Sequence, residues 1–183
     1  DYIDLLLVHQ PFGDYYGTYR AMEEAYKAGQ VRAIGVSNFS PNRFIDLHYF
    51  VEIKPAINQI ETHVFQQQKE TKKYLEKYNC QIESWGPFAE GRNDFFNTPL
   101  LKEIGEKYGK SVAQVALRFL LQSGVVVIPK SVRKERMQEN FDIFNFELTE
   151  DEMKSIEGLD QASTLFHDHQ EPETAERFLS FLS

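Results

Sequence analysis

The sequence has a single cysteine, Cys80, in 183 residues. One thiol closes no internal disulfide, which fits a reducing compartment and a cytoplasmic setting. Long apolar runs are missing too: none reaches the ~18 residues of a membrane-spanning helix. No secretory leader is visible. Positive charge is scarce, with 20 Lys+Arg against 28 Asp+Glu and a net charge of −8. That balance argues against a coat for nucleic acid or anionic membrane, while leaving room for one basic pocket. The Gly-x-x-x-x-Gly-Lys-Ser/Thr pattern is absent, which excludes a P-loop NTPase. An initiating methionine is also absent. The chain opens Asp1-Tyr2-Ile3-Asp4-Leu5-Leu6-Leu7-Val8-His9, straight into an apolar run. Termini are loose unless tied down, so the expectation is a chain that lacks its natural beginning.

What is present supports a packed fold. Apolar residues make up 42% and aromatics 14% of the chain, enough for a core that buries roughly 70% of the unfolded surface. Five short apolar stretches, at 3–8, 33–36, 56–60, 81–84 and 125–128, read as strands bounded by turn residues. The first and last read as parallel strands buried on both faces. Helical patterns lie between them. Residues 18–28 stop at Gly29, and Ser40-Pro41 opens a helix with a cap and a first-turn proline. Residues 67–78 and 99–108 follow. Ser111-Val112-Ala113-Gln114 and Thr149-Glu150-Asp151-Glu152 are capping boxes.

Strand and helix alternation predicts an α/β protein with a parallel sheet. The strand tips His9, Ser37, Glu61 and Trp85 lie 28, 24 and 24 residues apart. A βα unit of a (β/α)8 TIM barrel averages about 31. A doubly wound sheet usually carries a glycine-rich loop after its first strand; His9-Gln10-Pro11-Phe12-Gly13 is not one. The barrel is the favoured architecture, although five strands do not close an eight-stranded one.

Polar groups at the carboxyl ends of parallel strands face the site in such folds. His9 could donate to a carbonyl or act as acid or base, or be a satisfied loop histidine. Ser37 and Asn38 could grip an amide ligand, or form a turn before the next helix. The amides of Asn58 and Gln59 need partners, from ligand or from protein. Trp85, the only tryptophan, could stack on a planar ligand or pack in the core. Lys130, Arg133, Lys134 and Arg136 put four cations in seven residues at the start of a helix, a phosphate site or else a solvated face. His63, His167 and His169 lack the spacing of a zinc site. His167-Asp168-His169 could bind a metal, but it reads instead as an exposed tail, and no metal is expected. Cys80 reads as a core residue. Tyr15, Tyr16 and Tyr19 could line a pocket or merely pack.

Taken together these residues resemble the aldo-keto reductase family, in particular its bacterial 2,5-diketo-gluconate reductase branch. The resemblance rests on Asp4-Leu5-Leu6-Leu7-Val8-His9, Gly35-Val36-Ser37-Asn38-Phe39, Asn58-Gln59-Ile60-Glu61, Glu83-Ser84-Trp85-Gly86-Pro87 and Ile128-Pro129-Lys130-Ser131. Arg136 and Glu139-Asn140 follow in family order. It implies a (β/α)8 barrel that binds NADPH, with residues 1–160 forming strands four to eight and 161–183 a tail. The first three βα units would be missing from this chain. By resemblance His9 is catalytic and orients a substrate carbonyl. Ser37, Asn38 and Gln59 hold the nicotinamide carboxamide, and Trp85 stacks on its ring. Lys130, Ser131, Val132 and Arg136 surround the 2′-phosphate, which favours NADPH over NADH. Glu139 and Asn140 face the adenine.

The resemblance implies NADPH-dependent reduction of a small aldehyde or ketone by a complete protein that is monomeric. It also implies a Tyr, Lys and Asp upstream of Asp1. Without them the chain could be an inactive fragment, prone to associate through open strand edges. A non-catalytic NADPH-binding module is the other alternative. Two positions depart from the family pattern: Gln10 stands where many relatives have Trp, and Thr62-His63-Val64 where Leu-His-Pro is common. The tail from Ser163 matches no pattern.

Overall fold

A computed structural model describes residues 1–182. The strands are β1 (Ile3–Val8), β2 (Val31–Ser37), β3 (Ile57–Glu61), β4 (Gln81–Trp85) and β5 (Val126–Val127). The helices are α1 (Tyr15–Lys27), α2 (Pro41–Phe50), α3 (Lys69–Lys77), α4 (Pro99–Tyr108), α5 (Val112–Gln122), α6 (Lys134–Phe141), α7 (Glu150–Glu157) and α8 (Pro172–Leu179). The strands hydrogen-bond in sequence order, and β1–β2, β2–β3 and β4–β5 run parallel. None of the helices among the described residues is long and apolar enough to cross a membrane.

The chain divides into two compact units. The first comprises 1–60, 69–82 and the tail from Phe166. In it, Ile3 lies opposite Val31 and Val8 opposite Val36, while Val36 and Ser37 face Asn58 and Gln59. The Asp14 carboxylate accepts from Gly17 N–H at 2.8 Å and so caps α1. The helix ends at Gly29, whose φ of +72° suits a residue without a side chain. Ser40 precedes α2 as expected, but its hydroxyl donates to Asn42 Oδ1 rather than capping the backbone. Tyr19, Ile34, Val36, Phe39, Phe44 and Leu47 are buried and form the core. Cys80 joins them, and burial pushes its thiol up to about 12.

Gly35 is required by packing. A Cβ there would sit 2.5 Å from the Ile57 carbonyl oxygen and 2.9 Å from Leu7 Cδ2. Backbone on one side cannot rotate away. Gly35→Ala is therefore expected to destabilise by roughly 1–3 kcal/mol through overpacking. Thermal denaturation of the whole protein measures this, and an unchanged midpoint would show that the neighbouring strand yields freely.

The second unit comprises 61–68 and 83–165. Both capping boxes form. Ser111 Oγ accepts from Gln114 N–H at 3.3 Å and the Gln114 side chain returns the bond at 3.0 Å. Thr149 and Glu152 do the same before α7. These caps satisfy helix N–H groups that otherwise have no partner. Leu101, Ile104, Leu117, Phe119, Leu120 and Ile156 are among its buried apolar residues.

The expectation for the first and last strands is corrected. Ile3 is 51% and Val126 39% exposed, so neither strand is buried on both faces. They are the outermost strands in the sheet order, and each has a strand neighbour on one side only among the described residues.

Candidate active and cofactor site

In the first unit, three strand ends bring their polar residues together. His9 follows β1 directly and is exposed. Its ring makes no hydrogen bond within the described residues and is open to solvent. Ser37 and Asn38 follow the buried core of β2 and are tied to β3. The Ser37 hydroxyl and the Asn38 N–H both donate to the Gln59 carbonyl, each at 2.9 Å. These two hydrogen bonds to one oxygen tie the two tips together. Asn38 takes a left-handed φ of +61°, which asparagine tolerates better than most residues. Its side-chain Nδ2 donates to Gln10 Oε1 at 3.4 Å. The residue after His9 thus touches the amide expected to bind cofactor.

The two amides of β3 separate. Asn58 is fully buried, and its side chain donates to the Phe39 carbonyl at 2.8 Å while accepting from the Phe39 N–H. Its hydrogen bonds to Phe39 support the structural reading for that residue. Gln59, one position on and pointing to the opposite face, is half-buried.

The loop after β1 is braced by aromatics. Arg43 lies over the Phe12 ring, 5.7 Å from its centroid, and donates to the Pro11 carbonyl. Phe12 stacks on Phe178 at 5.9 Å and on His169 at 6.2 Å. The expectation of an exposed tail at His167-Asp168-His169 is therefore corrected: only Asp168 is exposed. The reason is α8, whose Phe178 offers a ring to both histidines. The tyrosines also divide. Tyr19 is wholly buried core, while Tyr15 packs edge-on against Phe39. The Tyr16 hydroxyl donates to Asp46, and partial burial and that carboxylate push its phenol up to about 12.

In the second unit, Trp85 ends β4 and is half-buried. The Trp85 carbonyl accepts from Thr62 N–H at 3.4 Å, and Ser84 Oγ donates to the Thr62 carbonyl at 2.5 Å. Beyond β5 a cavity of about 540 Å³ opens, walled by Lys130, Ser131, Val132, Arg133 and Arg136. Glu139 and Asn140 of α6 line it as well. Lys130, Arg133 and Arg136 are exposed and form no ion pair among the described residues. Ser131 Oγ accepts from Arg133 N–H at 3.1 Å, which turns the chain into α6. Lys134 points elsewhere and lines a second, apolar groove with Met137, Phe141 and Phe144. Two guanidinium forks, an ammonium and a helix start form a donor set suited to phosphate.

Reasoning from sequence missed several contributors. Phe88, Phe96 and Ser111 wall the same cavity, and in the sequence Ser111 showed only as a helix cap and the two phenylalanines not at all. Glu61 and His63 form a buried pair at 3.0 Å, which the His63 spacing alone did not suggest.

The Aldo/keto reductase family profile matches residues 1–161. Glyoxal reductase of Bacillus subtilis is 46% identical over 162 residues, covering 88% of this chain and 58% of that protein. Methylglyoxal reductase DkgA of Escherichia coli is 40% identical over 168 residues, covering 90% of this chain and 61% of that protein. Among solved structures, an aldo-keto reductase from a Medee basin deep-sea metagenome library superposes with a TM-score of 0.88 at 38% identity. It covers 93% of this chain and 64% of that one. A mutant of Gox0644 in complex with NADPH gives a TM-score of 0.87 at 38% identity, with 92% and 63% covered. The chain thus spans about three fifths of the length of these relatives. Its parallel strands and alternating helices are those of an α/β TIM-barrel fold, and the chain belongs to the aldo/keto reductase family.

Proposed function

We propose that the whole protein reduces a small aldehyde or ketone to an alcohol with NADPH. The observation that carries this reading is the basic cavity. Lys130, Arg133 and Arg136 surround about 540 Å³ and form no ion pair with a carboxylate among the described residues. Charges clustered this closely repel, and a bound phosphate relieves the repulsion. Lys130, Ser131, Val132 and Arg136 would hold the 2′-phosphate, with Glu139 and Asn140 on the adenine side. Ser37, Asn38 and Gln59 would hold the carboxamide. The Ser37 hydroxyl already donates to Gln59, so it would serve as acceptor for the amide N–H. Trp85 would offer its ring face to the nicotinamide. Residues 1–160 supply these groups, and 161–183 form a tail.

When bound, NADPH supplies the hydride. His9 would donate a hydrogen bond to the carbonyl oxygen, which orients it and stabilises the charge that develops there. Glyoxal reductase and methylglyoxal reductase are among the relatives, which points to small, reactive aldehydes as first substrates to try. The test is NADPH oxidation by the purified whole protein on addition of methylglyoxal and simple aldehydes. Carbonyl-dependent loss of NADPH absorbance is expected. Tight NADPH binding without turnover on any of them would replace the reductase by a binding module.

A further inference from the structure

Glu61 closes β3 two residues beyond Gln59, and it is only 5% exposed. Its Oε1 accepts from His63 Nε2 at 3.0 Å and from the Leu165 N–H at 2.9 Å. Its Oε2 accepts from the Thr164 hydroxyl. His63 is wholly buried, and its Nδ1 accepts from the N–H groups of Phe65 and Gln66 at 3.2 and 3.1 Å. A ring nitrogen that accepts carries no proton, so the proton sits on Nε2 and points at Glu61. Burial raises the Glu61 pKa, but the bonds from His63, Thr164 and Leu165 outweigh it and hold the carboxyl below its usual range.

The same loop grips the preceding residues. Gln67 N–H donates to Asp160 Oδ1 at 3.1 Å, and Gln161 N–H to the Phe65 carbonyl at 2.8 Å. Arg92 donates to the Leu165 carbonyl at 2.5 Å. A buried carboxylate is costly unless every lone pair is used. Here two of the three donors, Thr164 and Leu165, come from about a hundred residues away in sequence, at the end of the second unit. From Phe166 onward the chain belongs to the first unit, where Phe178 stacks on Phe12, three residues past His9.

We infer that Glu61, oriented by His63, is a positioning residue that fastens Thr164 and Leu165 and so sets the tail for substrate binding. This rests on the reductase reading. None of these bonds involves a residue that lines the basic cavity, so their loss is expected to affect substrate capture rather than cofactor affinity. Thr164→Val removes one donor without changing volume, and Thr164→Ser restores it. Glu61→Gln removes the charge.

In the whole protein, hydrogen exchange over 161–179 is expected to speed roughly tenfold in Thr164→Val, the loss of one hydrogen bond to a charged group. KM for the carbonyl should rise several-fold while kcat and NADPH affinity stay within about twofold. Glu61→Gln should act in the same direction, and Thr164→Ser should match wild type. Tail exchange unchanged in Thr164→Val overturns the fastening. A fall in kcat at constant KM overturns the positioning role. If the wild type turns over no carbonyl, the reductase reading fails and the exchange experiment alone decides the fastening.

Discussion

Replacing His9 with alanine in the whole protein is expected to lower kcat/KM for carbonyl reduction by roughly 10²–10³-fold, the usual weight of one positioned hydrogen-bond donor to a developing oxyanion. That corresponds to about 3–4 kcal/mol of transition-state stabilisation. The substitution is clean because His9 is exposed and its ring makes no hydrogen bond within the described residues. No buried partner is stranded and no core contact is lost, so stability and NADPH affinity should stay near wild type. His9→Gln retains an N–H donor at similar reach and should recover part of the loss. Initial rates at saturating NADPH, together with a fluorescence titration of the cofactor, separate the two effects. A His9→Ala enzyme with kcat/KM within about threefold of wild type would remove His9 from the chemistry.

The elements that the sequence marks with local chemistry are those it places best. The residues of each capping box lie within four positions, and both boxes form at the predicted residues. Gly29 and Pro99 stop and start helices where their backbone preferences require. An apolar run, by contrast, reports that a strand exists and not where it sits in a sheet. The runs at β1 and β5 look alike for that reason, and both prove to be outer strands. The paired amides of β3 show a finer limit. Composition places Asn58 and Gln59 side by side, yet only the fold shows that Phe39 takes up Asn58 and leaves Gln59 half-buried. The Glu61–Thr164 contact was invisible because its partners are 103 residues apart. No periodicity or short motif carries a contact over that separation. The density of the basic cluster is local and so visible in the sequence, but the cavity takes Lys130, Arg133 and Arg136 and leaves Lys134 to another groove, and its walls Phe88, Phe96 and Ser111 come from other segments.

That cluster gives the second large expectation. Arg136→Ala should weaken NADPH binding by roughly 1.5–3 kcal/mol, the range for a hydrogen bond to a charged group, or about 10- to 150-fold in Kd. NADH differs from NADPH by lacking the 2′-phosphate, so its affinity should change by less than about twofold. The asymmetry follows from position. Arg136 lies in the first turn of α6 and lines the cavity, and its guanidinium forms no ion pair with a carboxylate among the described residues. Its planar fork can take two phosphate oxygens at once, whereas Lys130 offers a point charge and should cost less on removal. Both groups are exposed, so added salt should shrink the NADPH preference by screening. Isothermal titration with each cofactor at low and moderate salt reads all of this. Equal losses for NADPH and NADH in Arg136→Ala would remove Arg136 from the 2′-phosphate and turn the cavity into a general anion site. A loss confined to NADPH, reduced by salt and smaller for Lys130→Ala, would tie the cavity to that one phosphate and the cofactor choice to two side chains.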